Sequence, residues 1–405
     1  MHILFLTDNF PPETNAPASR TFEHARRWVA AGHRVTVVTG APNFPSGKLH
    51  AGYSNALWSR ETMGGIDVVR VWTYITANEG FLKRTLDYVS FMVAAILASP
   101  FLPRPDVIVG TSPQFFTPCA ALVVSWMRWR PFVFELRDLW PDSIVAVGAM
   151  RETAAIRALR KLEYFLYRRA ARIVSVTQSF KRVLTGNGIP AEKIAVVPNG
   201  VDLEAYQPGP RPADLARRLG VEGKFVAAYV GTVGMAHGIG TLLGAARTLR
   251  QRDDIAFVVV GTGAQQAEFA ATARSEGLSN VIFVGAVSKA EVRDYWRLCD
   301  AAVVLLRDTP LFRHVIPSKM FEAMGMERAI ILGVKGESEE ILLASGSGLT
   351  IPPEDAKALA AAVAGLADDR PGCAALGRKG RTFAAENFNR EVLAGRMLDE
   401  LQRGV

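Results

Sequence analysis

The sequence predicts an α/β protein with two Rossmann-like domains that face each other across a cleft. Short apolar runs alternate with helical segments in both halves of the chain, and a stretch rich in Pro and Gly separates the halves. The length of 405 residues is enough for two separate cores. Such alternation is typical of parallel, doubly wound sheets, in which ligands bind at the carboxyl ends of the strands.

The first domain is expected to comprise residues 1–202. A helix is predicted at residues 19–31, where it ends before Gly32. The apolar runs predict strands at residues 3–7, 33–39, 67–72, 107–110, 132–135 and 172–176.

The second domain is expected to comprise residues 203–380. Pro198, Asn199 and Gly200, followed by three more prolines up to Pro212, place the hinge near residue 202. Strands are then predicted at residues 225–230, 256–260, 281–283, 301–305 and 329–332. Apolar residues at helical spacing predict one final helix at residues 381–402, and residues 381–405 are expected to pack back toward the first domain.

The net charge of +8 lies entirely in the first half. Residues 1–202 carry 23 Lys and Arg against 15 Asp and Glu, a difference of +8, whereas residues 203–405 carry 24 of each. This asymmetry predicts an anionic partner for the first domain alone. No recognised nucleic-acid module with interleaved aromatics is present, so an anionic membrane surface is favoured over nucleic acid.

The three cysteines are far apart and show neither disulfide nor metal-ligand spacing, which indicates a reducing cytoplasm and no metal site. The chain opens on a strand-like run, so no signal peptide is expected. Two apolar segments, residues 88–102 and 115–127, are shorter than the roughly 18–20 residues that a transmembrane helix needs. They are either core helices or a face that lies against a bilayer.

The segment from residue 316 to residue 325 (IPSKMFEAMG) contains the most informative pair of charges. Pro317 and Ser318 predict the start of a helix, capped by Ser318, and Lys319 and Glu322 then share one helix face. A cation near a helix N-terminus suits a diphosphate, and a carboxylate one turn later suits sugar hydroxyls. The alternative is an exposed Lys–Glu surface pair.

Glycine-containing turns follow the first two strands of the second half. Gly231, Thr232 and Gly234 follow the first strand, and Gly261 and Gly263 follow the second. Glycine lets backbone N–H groups approach a phosphate closely. Neither turn completes G-x-G-x-x-G with a downstream acid, and no P-loop is present, so a dinucleotide is not favoured.

In the first half, polar residues follow two predicted strands. A loop at residues 7–15 ends at Asn15, and Glu135, Arg137 and Asp138 surround the end of the strand at 132–135. Burying such charges is costly unless they are paired or functional. An Arg137–Asp138 or Arg137–Asp142 structural network is the alternative to an acceptor site.

These motifs together resemble the retaining GT-B glycosyltransferases, and among them the enzymes that extend bacterial surface polysaccharides, such as the O-antigen L-N-acetylfucosamine transferases. The resemblance covers essentially the whole chain. It rests on residues 5–20 (FLTDNFPPETNAPASR), 135–142 (ELRDLWPD), 197–202 (VPNGVD), 261–263 (GTG) and 316–322 (IPSKMFE).

The resemblance implies that Glu322 is the second glutamate of the family's E-x7-E motif, which holds the donor ribose. The first position of that motif is occupied by His314. Relatives bind the diphosphate of the donor with an Arg and a Lys, and in this sequence Thr232 and His237 occupy the corresponding positions. We therefore expect Lys319 to supply the charge.

In the first domain, Arg137 and Asp138 stand near the family's His-Asp pair, so a histidine-assisted mechanism is not expected. The residues expected to act in catalysis are Asp138, Lys319 and Glu322. The expected donor-binding residues are Gly231, Thr232, Gly234, His237, Gly261, Gly263, Arg307, His314, Ser318, Lys319 and Glu322, and the expected acceptor-binding residues are Asn15, Glu135, Arg137 and Asp138.

The resemblance implies transfer of a sugar, such as an N-acetylated deoxyhexosamine, from a UDP-linked donor to a polyprenyl-diphosphate-linked saccharide. Configuration would be retained, the nucleotide-sugar would be a substrate, and no cofactor or metal would be needed. Such an enzyme would work in the cytoplasm, peripherally on the inner face of the plasma membrane. The alternatives are a UDP-sugar 2-epimerase of the same fold and a non-catalytic protein that binds saccharide or lipid.

Overall fold

The computed structural model describes residues 1–13, 15–44, 47–76, 81–142 and 153–405. Contacts between residues divide the chain into two compact units. Unit 1 consists of Met1–Asn199 together with Arg390–Val405, and unit 2 is Gly200–Asn389. The sequence predicts the corresponding boundaries after residues 202 and 380.

The strands are named in chain order. They are β1 (His2–Leu6), β2 (Arg34–Gly40), β3 (Trp58–Met63), β4 (Ile66–Val71), β5 (Val107–Thr111), β6 (Phe132–Leu136), β7 (Arg172–Ser175), β8 (Ile194–Val196), β9 (Phe225–Val230), β10 (Ile255–Val260), β11 (Val281–Gly285), β12 (Ala301–Leu305), β13 (Ala329–Gly333) and β14 (Gly348–Thr350).

The helices in the part of the chain that the structure describes are named in the same way. They are α1 (Ala16–Ala30), α2 (Phe81–Ala98), α3 (Phe116–Arg128), α4 (Ala154–Arg169), α5 (Gln178–Gly186), α6 (Ala213–Arg218), α7 (Ile239–Thr248), α8 (Gln266–Ser275), α9 (Val292–Leu298), α10 (Lys319–Gly325), α11 (Glu337–Ser345), α12 (Ala356–Asp368), α13 (Arg370–Asn387) and α14 (Arg390–Arg403). Short 3₁₀ segments lie at Ser99–Phe101, Ala191–Lys193 and Pro310–His314.

Unit 1 contains an eight-stranded sheet in its described residues, with the order β3-β4-β2-β1-β5-β6-β7-β8. Every neighbouring pair is parallel except β3 and β4. The predicted parallel sheet is therefore confirmed, with an antiparallel edge. The strand order reverses between β1 and β5, and the crevice beyond the carboxyl ends of such a pair is where ligands bind in this type of sheet.

Unit 2 contains a second parallel sheet, and all five of its neighbouring strand pairs in the described chain are parallel. Its order is β11-β10-β9-β12-β13-β14. The strands β9, β10, β12 and β13 are fully buried, which is why each appears in the sequence as an unbroken apolar run. Here the strand order reverses between β9 and β12.

The predicted single helix at residues 381–402 is wrong. The chain forms α13, which ends at Asn387, and α14, which begins at Arg390. Between them, Phe388 packs on Phe321 of unit 2 with ring centroids 4.4 Å apart. Met397 of α14 is instead buried in the core of unit 1. The predicted helix is interrupted between Phe388, which packs in unit 2, and Met397, which packs in the core of unit 1.

The two apolar segments of the first half form helices of unit 1. Residues 88–102 fall in α2 and the 3₁₀ segment that follows it, and residues 115–127 largely coincide with α3. Within the residues that the structure describes, no helix combines the length and the apolar character needed to cross a bilayer.

Candidate functional site

The side chain of Lys319 is directed into the loop that follows β9 in unit 2. Its Nζ lies 3.5 Å from the ring centroid of Tyr229, a cation–π contact. Gly231 has a φ of +138°, and a Cβ at this position would lie 2.9 Å from that Nζ. Lys319 Nζ is buried and has no hydrogen-bond partner among the described residues. A buried ammonium of this kind is costly unless an anion completes its surroundings.

Two basic side chains, Lys319 and His237, lie near this loop and both have lowered pKa values. Burial lowers the pKa of Lys319 to about 7, against the opposing effect of the nearby Glu322 charge. Burial, and then the charge of Lys319, lowers the pKa of His237 to about 4. His237 is therefore neutral at pH 7, and Thr232 carries no charge. That Lys319 provides the positive charge of this loop stays a prediction.

Glu322 lies three residues after Lys319 on α10 and therefore on the same side of the helix. Its Oε2 accepts a hydrogen bond of 3.1 Å from Nε1 of Trp296. Trp296, on α9, is completely buried and was not predicted, because a lone Trp in a helical segment gives no sign of its partner. This bond from a buried indole holds the Glu322 carboxylate in place.

The glycines of the two turns serve close packing. A Cβ on Gly261 would lie 2.1 Å from the carbonyl oxygen of Gly231, and a Cβ on Gly263 would lie 2.3 Å from that of Val233. The amide of Gly231 donates to Val260 O at 2.9 Å, and that of Gly261 donates to Gly285 O at 2.8 Å. These two amides are engaged within the sheet, so the predicted phosphate contact through them is corrected: the glycines bring the loops after β9 and β10 together.

Other predicted donor residues lie in or next to the same loop. Thr232 is exposed, and its carbonyl oxygen accepts a 2.7 Å hydrogen bond from the Tyr229 hydroxyl. The carbonyl oxygen of Gly234 accepts a 3.0 Å bond from the amide of His237. The backbone of Arg307 joins this loop through a 3.0 Å bond to Ala236 O.

The remaining side chains predicted to bind the donor are those of Arg307, Ser318 and His314. The guanidinium of Arg307 is exposed and faces Glu354, with Nε 3.7 Å from Oε1. Ser318 precedes α10, but its side chain makes no capping hydrogen bond in the described structure, so that part of the prediction is wrong. His314 is half-buried and ends a 3₁₀ segment.

In unit 1, Glu135 has a structural role. Its carboxylate is 1% exposed and lies 2.8 Å from Nε of Arg20. The same guanidinium donates to the carbonyl oxygens of Val197 and Pro198 at 3.0 and 2.7 Å. Burial by itself raises the pKa of Glu135, but the charges of Arg20 and Arg137 outweigh it and hold the pKa below its usual value. The prediction that Glu135 contacts an acceptor is corrected accordingly.

Arg137 and Asp138 follow β6, and their backbone amides donate to the Ser112 hydroxyl at 2.7 and 3.3 Å. Burial lowers the pKa of Arg137 to about 10, although Glu135 opposes this. Asp142 pairs with Arg160 at 2.6 Å, so the alternative Arg137–Asp142 network is not the one that forms. The roles of Arg137 and Asp138 toward an acceptor stay predictions.

Asn15 caps α1 and also lines a cavity. Its Oδ1 accepts from the amide of Ala18 at 2.9 Å. The cavity, which we call the unit 1 cavity, has a volume of about 220 Å³. Its lining includes Asp8, Asn9, Glu13, Asn15, Phe44, Arg84, Asp87, Tyr88 and Gln114. Sequence reasoning identified the loop after β1 but missed the α2 side chains, because the apolar run hides the earlier polar turns of that helix.

Both units match known sequence families. The family described as glycosyl transferase 4-like domain matches residues 15–200. The family described as glycosyl transferases group 1 matches residues 224–369. The chain is a glycosyltransferase.

This glycosyltransferase is similar to WcaI of Escherichia coli (strain K12), a glycosyl transferase named for colanic acid biosynthesis. The two are 23% identical over 377 residues, which cover 90% of this chain and 91% of WcaI. Among the described residues, no three His, Cys, Asp or Glu side chains are grouped so as to hold a metal ion. Independence from metals and cofactors stays a prediction.

Solved structures establish the fold of this glycosyltransferase. Sucrose-phosphate synthase from Thermosynechococcus elongatus has a TM-score of 0.78 at 18% identity, covering 98% of this chain and 97% of that one. Anabaena HepE, in complex with UDP-glucose, has a TM-score of 0.73 at 18% identity, covering 99% of each chain. The predicted GT-B class, with two Rossmann-like domains, is confirmed.

Proposed function

We propose that this enzyme transfers a sugar from a UDP-linked donor, held by unit 2, to a polyprenyl-diphosphate-linked saccharide, held by unit 1. The transfer would belong to surface-polysaccharide synthesis, with an N-acetylated deoxyhexosamine as the sugar. The observation that carries the proposal is the buried Lys319 ammonium, which is directed at the loop after β9, contacts the Tyr229 ring and has no hydrogen-bond partner among the described residues. The similarity to WcaI and the UDP-glucose complex of HepE support it.

The chemistry follows from these positions. The bond between the anomeric carbon and the β-phosphate oxygen breaks, and a bond from that carbon to the acceptor oxygen forms on the same face of the sugar. The hydroxyl proton passes either to the Asp138 carboxylate or to the departing phosphate, and in the second case Asp138 orients the hydroxyl. Lys319 stabilises the negative charge that develops on the leaving UDP. Glu322 accepts hydrogen bonds from the donor ribose.

A lipid-linked acceptor requires the enzyme to reach a membrane, and unit 1 has a suitable surface. Leu97, Phe101, Trp126 and Trp129 are exposed by 66, 81, 53 and 86%, and we call them the α2–α3 surface. Arg128 of α3 donates to the carbonyl oxygen of Leu102 at 2.9 Å, and Leu102 directly follows the 3₁₀ segment after α2. Exposed aromatic side chains with adjacent arginines are typical of a membrane-water interface.

The backbone at Trp129 supports this role. Trp129 ends α3 with φ of 53° and ψ of 52°, in the left-handed region. A bulky residue in this region costs on the order of 1–3 kcal/mol. Nevertheless, the indole is left mostly in solvent, where it gains little from packing. We propose that it inserts at the headgroups of an anionic membrane, at the inner face of the plasma membrane.

The deciding experiment measures UDP release with and without a polyprenyl-diphosphate-linked saccharide. A transferase releases UDP at a rate that depends on this acceptor. NMR of the product should show that the new linkage has the same anomeric configuration as the sugar in the donor. UDP release or sugar epimerisation at a rate that does not depend on the acceptor would favour the epimerase. Binding of UDP-sugar with no turnover under either condition would favour a binding protein.

A further inference from the structure

The unit 1 cavity lies where this type of sheet binds ligands. Asp8 and Asn9 follow β1, and Gln114 follows β5, so the lining comes from the two strands between which the order reverses. Glu135, at the end of β6, is paired with Arg20 and does not line the cavity. The cavity is therefore the concave polar site at the carboxyl ends of β1 and β5.

One wall of the cavity is provided by α2. Arg84, Asp87 and Tyr88 have the i, i+3, i+4 spacing that places side chains on one helix face. Arg84 Nε donates to the Tyr88 hydroxyl at 2.6 Å. Burial raises the pKa of Asp87 to about 6, while Arg84 lowers it. At pH 7 Asp87 is therefore mostly ionised, and Arg84 balances its charge.

The opposite wall follows β1. Burial, and then the charge of Asp87, raises the pKa of Asp8 to about 8, so Asp8 is mostly protonated at pH 7. Glu13 is 5% exposed, and its Oε1 accepts the amides of Asn43 and Phe44 at 2.9 Å each. Its Oε2 is buried without a hydrogen-bond partner in the described part of the chain.

The lining thus offers hydrogen-bond acceptors, while several of its donors are already used. The Nδ2 of Asn15 donates to Oδ1 of Asn9 at 2.5 Å, and the side-chain Nδ2 of Asn43 donates to Ala41 O at 3.0 Å. A ligand that fits such a lining supplies donors. Hydroxyl groups do this without adding charge to a lining that already contains Arg84 and three carboxyl groups.

An aromatic side chain completes the site. Phe44 lines the cavity and is 41% exposed, so a ring face or edge is available to a ligand. An apolar surface beside a few convergent polar groups is the usual composition of a small-molecule site. A pyranose has both kinds of surface, with C–H groups on its faces and hydroxyls around its rim.

We propose that the unit 1 cavity binds one neutral pyranose of the acceptor, with its hydroxyls donating to Asp8, Glu13 and Asp87 and its C–H face on Phe44. This inference rests on the proposed function, since it names the part of the acceptor that unit 1 recognises. It adds a recognition site at the ends of β1 and β5 to the contacts predicted at the end of β6, and of the four predicted acceptor residues only Asn15 lines it.

The test is saturation-transfer NMR on the full chain with the methyl glycosides of glucose, galactose, mannose and N-acetylglucosamine. We expect at least one to bind, and Asp87→Asn and Phe44→Ala to weaken it at least tenfold. Phe44 is partly exposed, so its variant tests the site even if Asp87→Asn fails to fold. Glu192→Gln, at an exposed acid of the same unit, is the matched control and should bind as the wild type does.

The affinity of each variant for UDP is measured in parallel by calorimetry. Unchanged UDP binding separates a failure of this site from a failure of the proposed donor site. The proposal is overturned if none of the four glycosides binds, or if both cavity variants bind them like the wild type. Tenfold tighter binding of methyl glucosaminide or methyl glucuronide than of the neutral glycosides would also overturn it.

Discussion

At the scale of single residues, Lys319 should couple UDP binding to proton uptake if it contacts the phosphates as proposed. Its pKa of about 7 in the free protein, set by burial, would rise when an anion lies beside Nζ. Above pH 7 the free protein therefore holds fewer protons at this site than the complex does. UDP affinity should fall as the pH rises from 7 to 9, by up to about tenfold per pH unit. Calorimetry at pH 8 in buffers of different ionisation enthalpy should detect uptake of close to one proton.

Lys319→Arg is the matched control, because an arginine stays protonated over this range. Its complex should form without proton uptake, since phosphate groups are themselves ionised above a pKa of about 6. Equal uptake in the wild type and in Lys319→Arg would show that another group takes the proton, and would remove Lys319 from the phosphate contact.

Glu322 is expected to determine donor affinity. A carboxylate that accepts ribose hydroxyls makes charged hydrogen bonds worth roughly 1.5–3 kcal/mol each. Glu322→Ala should therefore weaken UDP binding by about tenfold or more and lower turnover, with the fold retained. Glu222→Ala, at an exposed acid of the same unit, should change neither. Wild-type activity in Glu322→Ala would exclude the donor-site assignment.

Asp138 tests the predicted catalytic contribution of unit 1. Asp138→Asn keeps the shape of the side chain and removes its charge. If the carboxylate orients or deprotonates the acceptor hydroxyl, kcat should fall by about 10²-fold or more while UDP binding is retained. A nearly silent variant, or one that unfolds, would assign Asp138 to the structure around Ser112, whose hydroxyl accepts its backbone amide at 3.3 Å.

At the scale of elements, the α2–α3 surface should govern vesicle binding. Phosphatidylglycerol vesicles should bind the protein more tightly than phosphatidylcholine vesicles, and salt should weaken binding because exposed charges are screened over about 8–10 Å. The double variant Phe101→Ser/Trp129→Ser should lose most of the binding that survives high salt. Cosedimentation measures both effects.

A matched control lies in unit 2, where Leu343 is 66% exposed on α11. Leu343→Ser removes a comparable apolar side chain and should leave vesicle binding unchanged. Equal binding to neutral and anionic vesicles, or a larger loss in Leu343→Ser than in the double variant, would contradict the assignment of this surface.

The elements also show what the sequence could and could not predict. Buried parallel strands such as β9 and β12 appear as unbroken apolar runs, and their predicted bounds coincide with the observed ones. β3 was missed because an edge strand with alternating exposed residues has no such run. β14 spans only three residues and is defined by its pairing with β13.

The residues of the candidate site also fall into those that the sequence could predict and those that it could not. Lys319 and Glu322 were found because one short segment contains both charges. Their surroundings, Tyr229 and Trp296, lie far away in sequence and meet α10 only through the fold. Asp87 of the unit 1 cavity was missed for this reason, since it lies on α2 and interacts with Asp8 of the loop after β1 only through the fold.

At the scale of the whole molecule, α14 completes unit 1. Trp28 Nε1 donates to Ala394 O at 2.8 Å, and Met397 is fully buried beside His24, whose Nδ1 lies 3.3 Å from its sulfur. Met397→Ala should destabilise unit 1 by about 2–5 kcal/mol, the usual cost of such a core truncation. Hydrogen exchange should become faster in β1 and β2 and remain unchanged in the strands of unit 2.

Val392 is 48% exposed on the same helix, so Val392→Ala is the matched control and should leave exchange as it is in the wild type. Faster exchange in unit 2 alone, or equal effects of the two variants, would mean that α14 does not stabilise unit 1 through this core.

The separation of α14 from the rest of unit 1 has a consequence for biosynthesis. Every residue of unit 2, from Gly200 to Asn389, leaves the ribosome after the strands of unit 1 and before α14. At about 5–20 residues per second, this interval lasts on the order of ten to forty seconds. Throughout it, the nascent first unit lacks the helix that covers Trp28 and His24. The stage most open to chaperones and proteases therefore ends when residues 390–405 emerge and dock.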